Sequence, residues 1–109
     1  MHVEVKVIHG GAPAITPLDH PAVELAARAL ESGFGRRPLY TRSGGSIPVV
    51  AALDSQLGLK TVMVGFASPN GNFHAPNEWM PLGNYRAGME ALVRLWGMLG
   101  QMTAAEVRG

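Results

Sequence analysis

An α/β fold is the class this 109-residue sequence predicts, and three observations point to it. Val3, Val5 and Val7 alternate with His2, Glu4 and Lys6, the period-two pattern of a half-buried strand. Leu59 to Phe66 is mostly apolar and rich in β-branched residues, the composition of a buried strand, with parallel pairing as one option. Leu82, Tyr85, Met89, Leu92, Val93, Trp96 and Leu99 fall mostly three and four apart, the stripe of an amphipathic helix. Strands and helices alternate along the chain, which is the α/β signature.

The elements follow in order. After the first strand, Gly10-Gly11, Pro13 and Pro17 break regular structure and leave a loop of about ten residues. Asp19 offers a capping oxygen and Pro21 suits the first turn of a helix, where no amide partner is lost. That helix is predicted from Ala22 to about Glu31, with Val23, Ala26 and Leu30 on one face and Gly33 and Gly35 closing it. Pro38 to Thr41 reads as a short extended piece and Ser43 to Ser46 as a flexible loop. Pro48 opens a second helix over about Val49 to Leu57, ended by Gly58. The strand at Leu59 to Phe66 comes next, then an irregular stretch from Ser68 to Pro81 with three prolines and three asparagines. The last helix closes the pattern, with Arg86, Glu90 and Arg94 at i,i+4 intervals beside its apolar stripe. A buried strand needs neighbours and cover on both faces, so about three strands read as part of a sheet.

Composition narrows the function. Apolar residues make up 47% and charged residues 16%, enough apolar surface to fold rather than stay disordered. The net charge is +1, and Arg36-Arg37 is too short for the basic patch that nucleic acid needs. The absence of cysteine excludes a disulfide scaffold, a thiolate zinc site and a cysteine nucleophile. Residues 1–8 lack the apolar core of a targeting segment, and no run approaches the roughly 18 residues of a membrane span. The expectation is a cytoplasmic protein with no nucleic-acid and no membrane partner.

Two loops are placed to carry chemistry. Ser68 to Pro81 directly follows the second strand, and ligands in open α/β sheets bind beyond strand carboxyl ends. Its centre is Asn72-Phe73-His74-Ala75-Pro76-Asn77-Glu78, where an imidazole can ligate zinc or shuttle protons. Spacing alone leaves the alternative of a surface histidine, since no second ligand sits at metal-binding distance along the chain. The other loop, Arg42-Ser43-Gly44-Gly45-Ser46-Ile47-Pro48, precedes a helix whose N-terminus attracts anions. There Arg42 offers a bidentate contact and Gly45 a close backbone approach, although a plain turn fits the same residues. His9, at the end of the first strand, is open to the reading of a solvated strand-end residue.

Taken together these segments form a recognisable order. His9-Gly10-Gly11, Asp19-His20-Pro21, Arg42 through Val49 and Gly65 through Glu78 resemble the C-terminal portion of a family of cocatalytic zinc metallopeptidases. That family includes carnosine dipeptidase, glutamate carboxypeptidase, aminoacylase and acetylornithine deacetylase. Its carnosinase-like branch has the pattern R-x-G-G-S-I-P-V, a strand, then H-[AS]-x-N-E. Here those motifs read Arg42 to Val49 and His74-Ala75-Pro76-Asn77-Glu78.

The resemblance implies a mixed sheet flanked by helices, the C-terminal part of a zinc-peptidase-like catalytic domain over residues 17–109. Residues 1–16 would be the end of a lid or dimerisation domain. His74 would be one metal ligand, and His9, Arg42, Gly45 and Ser46 would border the substrate. The implied cofactor is two zinc ions that activate water, and the implied substrate a small dipeptide whose amide bond is hydrolysed. The remaining ligands and the general-base glutamate of such an enzyme have no counterpart here, so the implied state alone is inactive. Its partner would be the missing N-terminal part of the enzyme, or a second copy by self-association. The competing reading is a non-catalytic interaction module derived from such an enzyme.

Overall fold

The computed structural model describes residues 2–8, 10–42 and 47–108, and among them the fold is helical: α1 (Pro21–Phe34), α2 (Pro48–Leu57), α3 (Leu82–Leu99) and α4 (Ala104–Arg108). No helix among the described residues is long and apolar enough to cross a membrane.

Local sequence sets the helix ends. Pro21 stands in the first turn of α1, but the cap is His20 rather than Asp19: its Nδ1 accepts the Ala22 N–H at 3.2 Å. Glu24 sits in the first turn, where the helix dipole favours a negative charge. At the far ends of α1 and α2, Gly35 (φ 72°) and Gly58 (φ 64°) take the left-handed conformation that glycine adopts without strain. Gly35 N–H donates to Glu31 O at 2.8 Å, and Gly58 N–H to Asp54 O at 2.9 Å. Helix α1 therefore runs to Phe34, and Gly33 is a packing position inside it. Helix α4 rests on a local signal: Thr103 and Glu106 form a reciprocal capping box, with Thr103 N–H and its hydroxyl both donating to Glu106 Oε2 at 2.8 Å.

The α/β expectation is not met. Among the described residues there is no strand and no sheet. A strand exists only when a neighbouring backbone answers its N–H and C=O groups, and none does here. Val3, Val5 and Val7, expected to be half-buried, are 65–83% exposed because nothing lies alongside them. Pro38 to Thr41 is likewise unpaired. Residues 62–66 keep the period-two burial of a strand, with Val62, Val64 and Phe66 half-buried and Met63 and Gly65 exposed, and Thr61 beside them is half-buried. Two of their carbonyls are answered by side chains instead: the Thr16 hydroxyl donates to Thr61 O, and Asn84 Nδ2 to Phe66 O at 2.8 Å.

The core is the seam between α1 and α3. Val23, Ala26, Ala27 and Ala29 of α1 and Ala91 of α3 are buried. Small side chains allow a close approach, since a Cβ at Gly33 would lie 2.6 Å from Ala87 O and 3.2 Å from Ala91 Cβ. Phe66 covers one end of the seam. Its ring lies where a Cβ at Gly88 would fall, and it stacks on Phe34 with centroids 6.0 Å apart. Arg94 ties α3 back to α1 through Ser32 O at 3.1 Å, so it does not pair with Glu90.

The large stripe of α3 falls on the opposite side from its expected place. Leu82, Tyr85, Met89, Val93 and Trp96 are exposed, while Gly88 and Ala91 are buried. Backbone proximity to α1 selects the small residues, and no other element among the described residues covers the large ones.

Candidate functional site

The loop after residues 59–66 is built to present His74. Gly71 is buried at its base, where its N–H donates to Ser68 O at 2.9 Å and its carbonyl accepts the Trp79 N–H at 3.0 Å. These bonds clasp residues 72–78 into a closed excursion, the geometry of a compact surface loop. A Cβ at Gly71 would lie 2.7 Å from Trp79 O and 3.0 Å from Ser68 O, so the clasp admits only glycine without rearrangement.

Three residues of the excursion take positive φ: Asn72 (55°), His74 (58°) and Asn77 (60°). Asparagine tolerates this region and histidine is enriched in it, yet three within six residues is an unusual concentration. Each such non-glycine residue stores about 1–2 kcal/mol of backbone strain, of the kind that collects at functional sites. His74 is exposed at the tip. Below the loop, the Asn84 bond to Phe66 O fixes the start of α3 against the end of residues 59–66.

Of the other residues singled out in the sequence, Arg42 is exposed and lines a groove of 860 Å³. Val23 and Leu30 of α1 and Val62, Val64 and Gly65 also line that groove. His74 is not among the groove's lining residues, so the structure does not bring it together with Arg42. His9, Gly45 and Ser46 lie outside the described residues.

One residue has a larger part than its sequence context suggested. His20 is buried at 6% exposure, and its Nδ1 serves as the cap of α1. A neutral ring that accepts at Nδ1 carries its proton on Nε2, and that buried N–H has no acceptor among the described residues. The signal was the histidine directly before Pro21, the first helical residue.

The described residues do not make a metal site by themselves. No group of three histidine, aspartate or glutamate side chains among them stands close enough to hold an ion. A catalytic zinc takes three protein ligands and an open position, and His74 is a single donor.

Comparison with known proteins places the chain in a family. Residues 2–97 match peptidase family M20/M25/M40. The chain belongs to that family. The resemblance drawn from its His-Gly-Gly, Arg-x-Gly-Gly-Ser and His-x-x-Asn-Glu segments is borne out at that level. Among curated relatives, the Cys-Gly metallodipeptidase of Candida albicans is 27% identical over 89 residues, covering 82% of this chain and 18% of that protein. The Cys-Gly metallodipeptidase of Schizosaccharomyces pombe is 28% identical over 83 residues, covering 76% and 17%. The Saccharomyces cerevisiae protein of the same description is 25% identical over 87 residues, covering 80% and 18%. The chain thus spans less than a fifth of the length of these relatives. No solved structure matches it significantly.

Proposed function

We propose that this chain supplies part of a zinc-dependent dipeptidase that hydrolyses the amide bond of small dipeptide-like substrates. In this reading His74 is one metal ligand, and Arg42, with His9, Gly45 and Ser46, borders the substrate. The remaining ligands and the general base come from residues outside this chain, so the 109 residues alone are inactive. The family match supports the reaction class, and the three metallodipeptidase relatives support a metal and a dipeptide substrate. The observation that carries the reading is the exposed His74 held at positive φ on a loop clasped by Gly71, in a chain that matches a peptidase family. The loop is prepared for a ligand that the described residues cannot hold alone.

The test is a titration of the chain with zinc by calorimetry, alongside an assay for Cys-Gly hydrolysis. Weak or undetectable zinc binding and no hydrolysis are expected of the chain alone. Mixing it with the preceding portion of one of the metallodipeptidase relatives is expected to give zinc-dependent hydrolysis that His74→Ala abolishes. Tight stoichiometric zinc together with dipeptide hydrolysis by the chain alone overturns the proposal. So does hydrolysis by the mixture that is indifferent to His74→Ala.

A further inference from the structure

The clasp beneath His74 closes on a reactive peptide bond. Residues 68–71 read Ser-Pro-Asn-Gly. They form a β-turn, with Pro69 in its second place and the Gly71 N–H donating to Ser68 O at 2.9 Å. Asn70 is exposed and Gly71 is buried. An asparagine side chain carries its carbonyl carbon one bond beyond Cβ, so the nitrogen of the next residue can reach it and close a five-membered ring. A Cβ on that next residue hinders the approach, and glycine has none.

The other asparagines lack this arrangement. Asn72 is followed by Phe73, Asn77 by Glu78 and Asn84 by Tyr85, each with a side chain in the way. Asn84 is also held, since it lies in α3 and its Nδ2 donates to Phe66 O at 2.8 Å. Only Asn70 combines an exposed side chain with a following glycine.

The fold holds the same reaction back. The attacking atom is the Gly71 nitrogen after loss of its proton, and that N–H is the one given to Ser68 O. Asn70 is not among the residues of positive φ, which makes the turn type I rather than type II. The third residue of a type I turn has ψ near 0°. At that angle the Gly71 nitrogen stands out of the plane of Asn70 Cα, Cβ and Cγ that ring closure needs. The Gly71 carbonyl also accepts the Trp79 N–H at 3.0 Å, so the turn opens only when the whole clasp does.

We propose that Asn70-Gly71 is a self-modification site, gated by the clasp and able to release it. With the clasp open, the Gly71 nitrogen loses its proton to hydroxide and attacks Asn70 Cγ. The new N–Cγ bond replaces the Cγ–Nδ2 bond, and the side-chain nitrogen takes up a proton from water and leaves as ammonia. Water then adds to either carbonyl of the ring and reopens it to a carboxylate, giving an aspartyl or an isoaspartyl linkage; nothing is oxidised or reduced. The isoaspartyl backbone runs through Cβ and is longer by one bond of about 1.5 Å. The Gly71 N–H then loses its place opposite Ser68 O, and the clasp under His74 opens permanently. No metal, substrate or peptidase chemistry enters, so the inference stands apart from the function proposed above.

Mass spectrometry of the 109-residue chain, incubated folded and in guanidinium chloride at one mildly alkaline pH, tests the site and its gate. Asn70 is expected to convert before Asn72, Asn77 and Asn84. Its conversion is expected to be about 10-fold faster in the unfolded chain, from the two hydrogen bonds that close the clasp. Trp79→Pro removes the N–H given to Gly71 O and is expected to bring the folded chain toward the unfolded rate. Circular dichroism checks the helices of that variant; should they melt, the ratio of folded to unfolded rates in the native chain decides the gate by itself. Hydrogen exchange reads the consequence. The separated isoaspartyl form is expected to lose protection at the Trp79 amide and keep it in α1, whereas Asn70→Asp, with the same charge on an ordinary backbone, keeps both. Conversion first at another asparagine overturns the proposal, as does no conversion of folded Asn70 over about 100 unfolded half-lives. Equal rates in the folded and unfolded chains overturn the gate, and loss of Trp79 protection in Asn70→Asp overturns the part given to the lengthened backbone.

Discussion

Adding one methyl group to this protein should destabilise or stabilise it according to which glycine receives it. At Gly33 a Cβ would fall 2.6 Å from Ala87 O and 3.2 Å from Ala91 Cβ. The first obstacle is backbone, so relief requires α1 and α3 to separate, and that opens the seam where Ala26, Ala27, Ala29 and Ala91 are buried. Overpacking of this kind costs about 1–3 kcal/mol. The gain in helix propensity from glycine to alanine is at most about 1 kcal/mol, and less in the last turn of α1. Gly33→Ala is therefore expected to lose about 1–2 kcal/mol net. At Gly97, on α3, a Cβ meets nothing within 4 Å. Gly97→Ala has only the propensity term and is expected to gain up to about 1 kcal/mol. The assay is thermal and urea unfolding followed by helical circular dichroism at one fixed protein concentration. At about 4–8 °C per kcal/mol, the two variants should shift the midpoint in opposite directions by an easily resolved amount. If Gly33→Ala raises the midpoint as Gly97→Ala does, the close seam between α1 and α3 is not the core of this fold.

Three further outcomes follow from particular contacts. Gly71→Ala should break the clasp under the His74 loop, because its Cβ would lie 2.7 Å from Trp79 O; the Trp79 amide should then lose protection from hydrogen exchange while α1 amides keep theirs. Thr16→Val removes the donor to Thr61 O and should lower stability by about 0.5–1.5 kcal/mol, seen as a reduced urea midpoint. The Glu106 carboxyl is held below its ordinary range, first by the Thr103 backbone N–H and then by the Thr103 hydroxyl. With the folded value depressed, the capping box contributes fully above the unfolded glutamate value of about 4.3 and is lost as pH falls below it. NMR shifts of the α4 amides should therefore move toward random coil in acid, and Glu106→Gln should abolish that pH response.

The helices were legible because their signals are local. Pro21, Pro48, Gly35 and Gly58 act within one turn, and the observed bounds of α1 and α2 follow them closely. The capping box of α4 was equally local, in Thr103 and Glu106, but a five-residue helix has no periodicity to draw the eye to it. The two strands read from the sequence are absent among the described residues, because alternation records which side chains share a face and says nothing of what the backbone pairs with. Residues 61–66 show the distinction: the side chains of residues 62–66 alternate in burial as a strand's do, while the carbonyls of Thr61 and Phe66 accept from Thr16 and Asn84. His74 is singled out by its motif alone, and the sequence does not show that three positive φ angles and the Gly71 clasp hold it at the tip of the loop.

Helix α3 shows why an apolar stripe alone does not locate a core. Counting large residues puts Leu82, Tyr85, Met89 and Trp96 inward, yet the helix turns Gly88 and Ala91 to α1. Two helices gain contact by approaching closely, and a close approach needs small side chains such as Gly33, Gly88 and Ala91 where they meet. The bulky arc cannot enter that seam without forcing it apart, so it is left outside whatever its hydrophobicity. A helix with a small arc and a large arc is thus suited to two neighbours at two distances. The near one is α1, and the far arc is uncovered among the described residues.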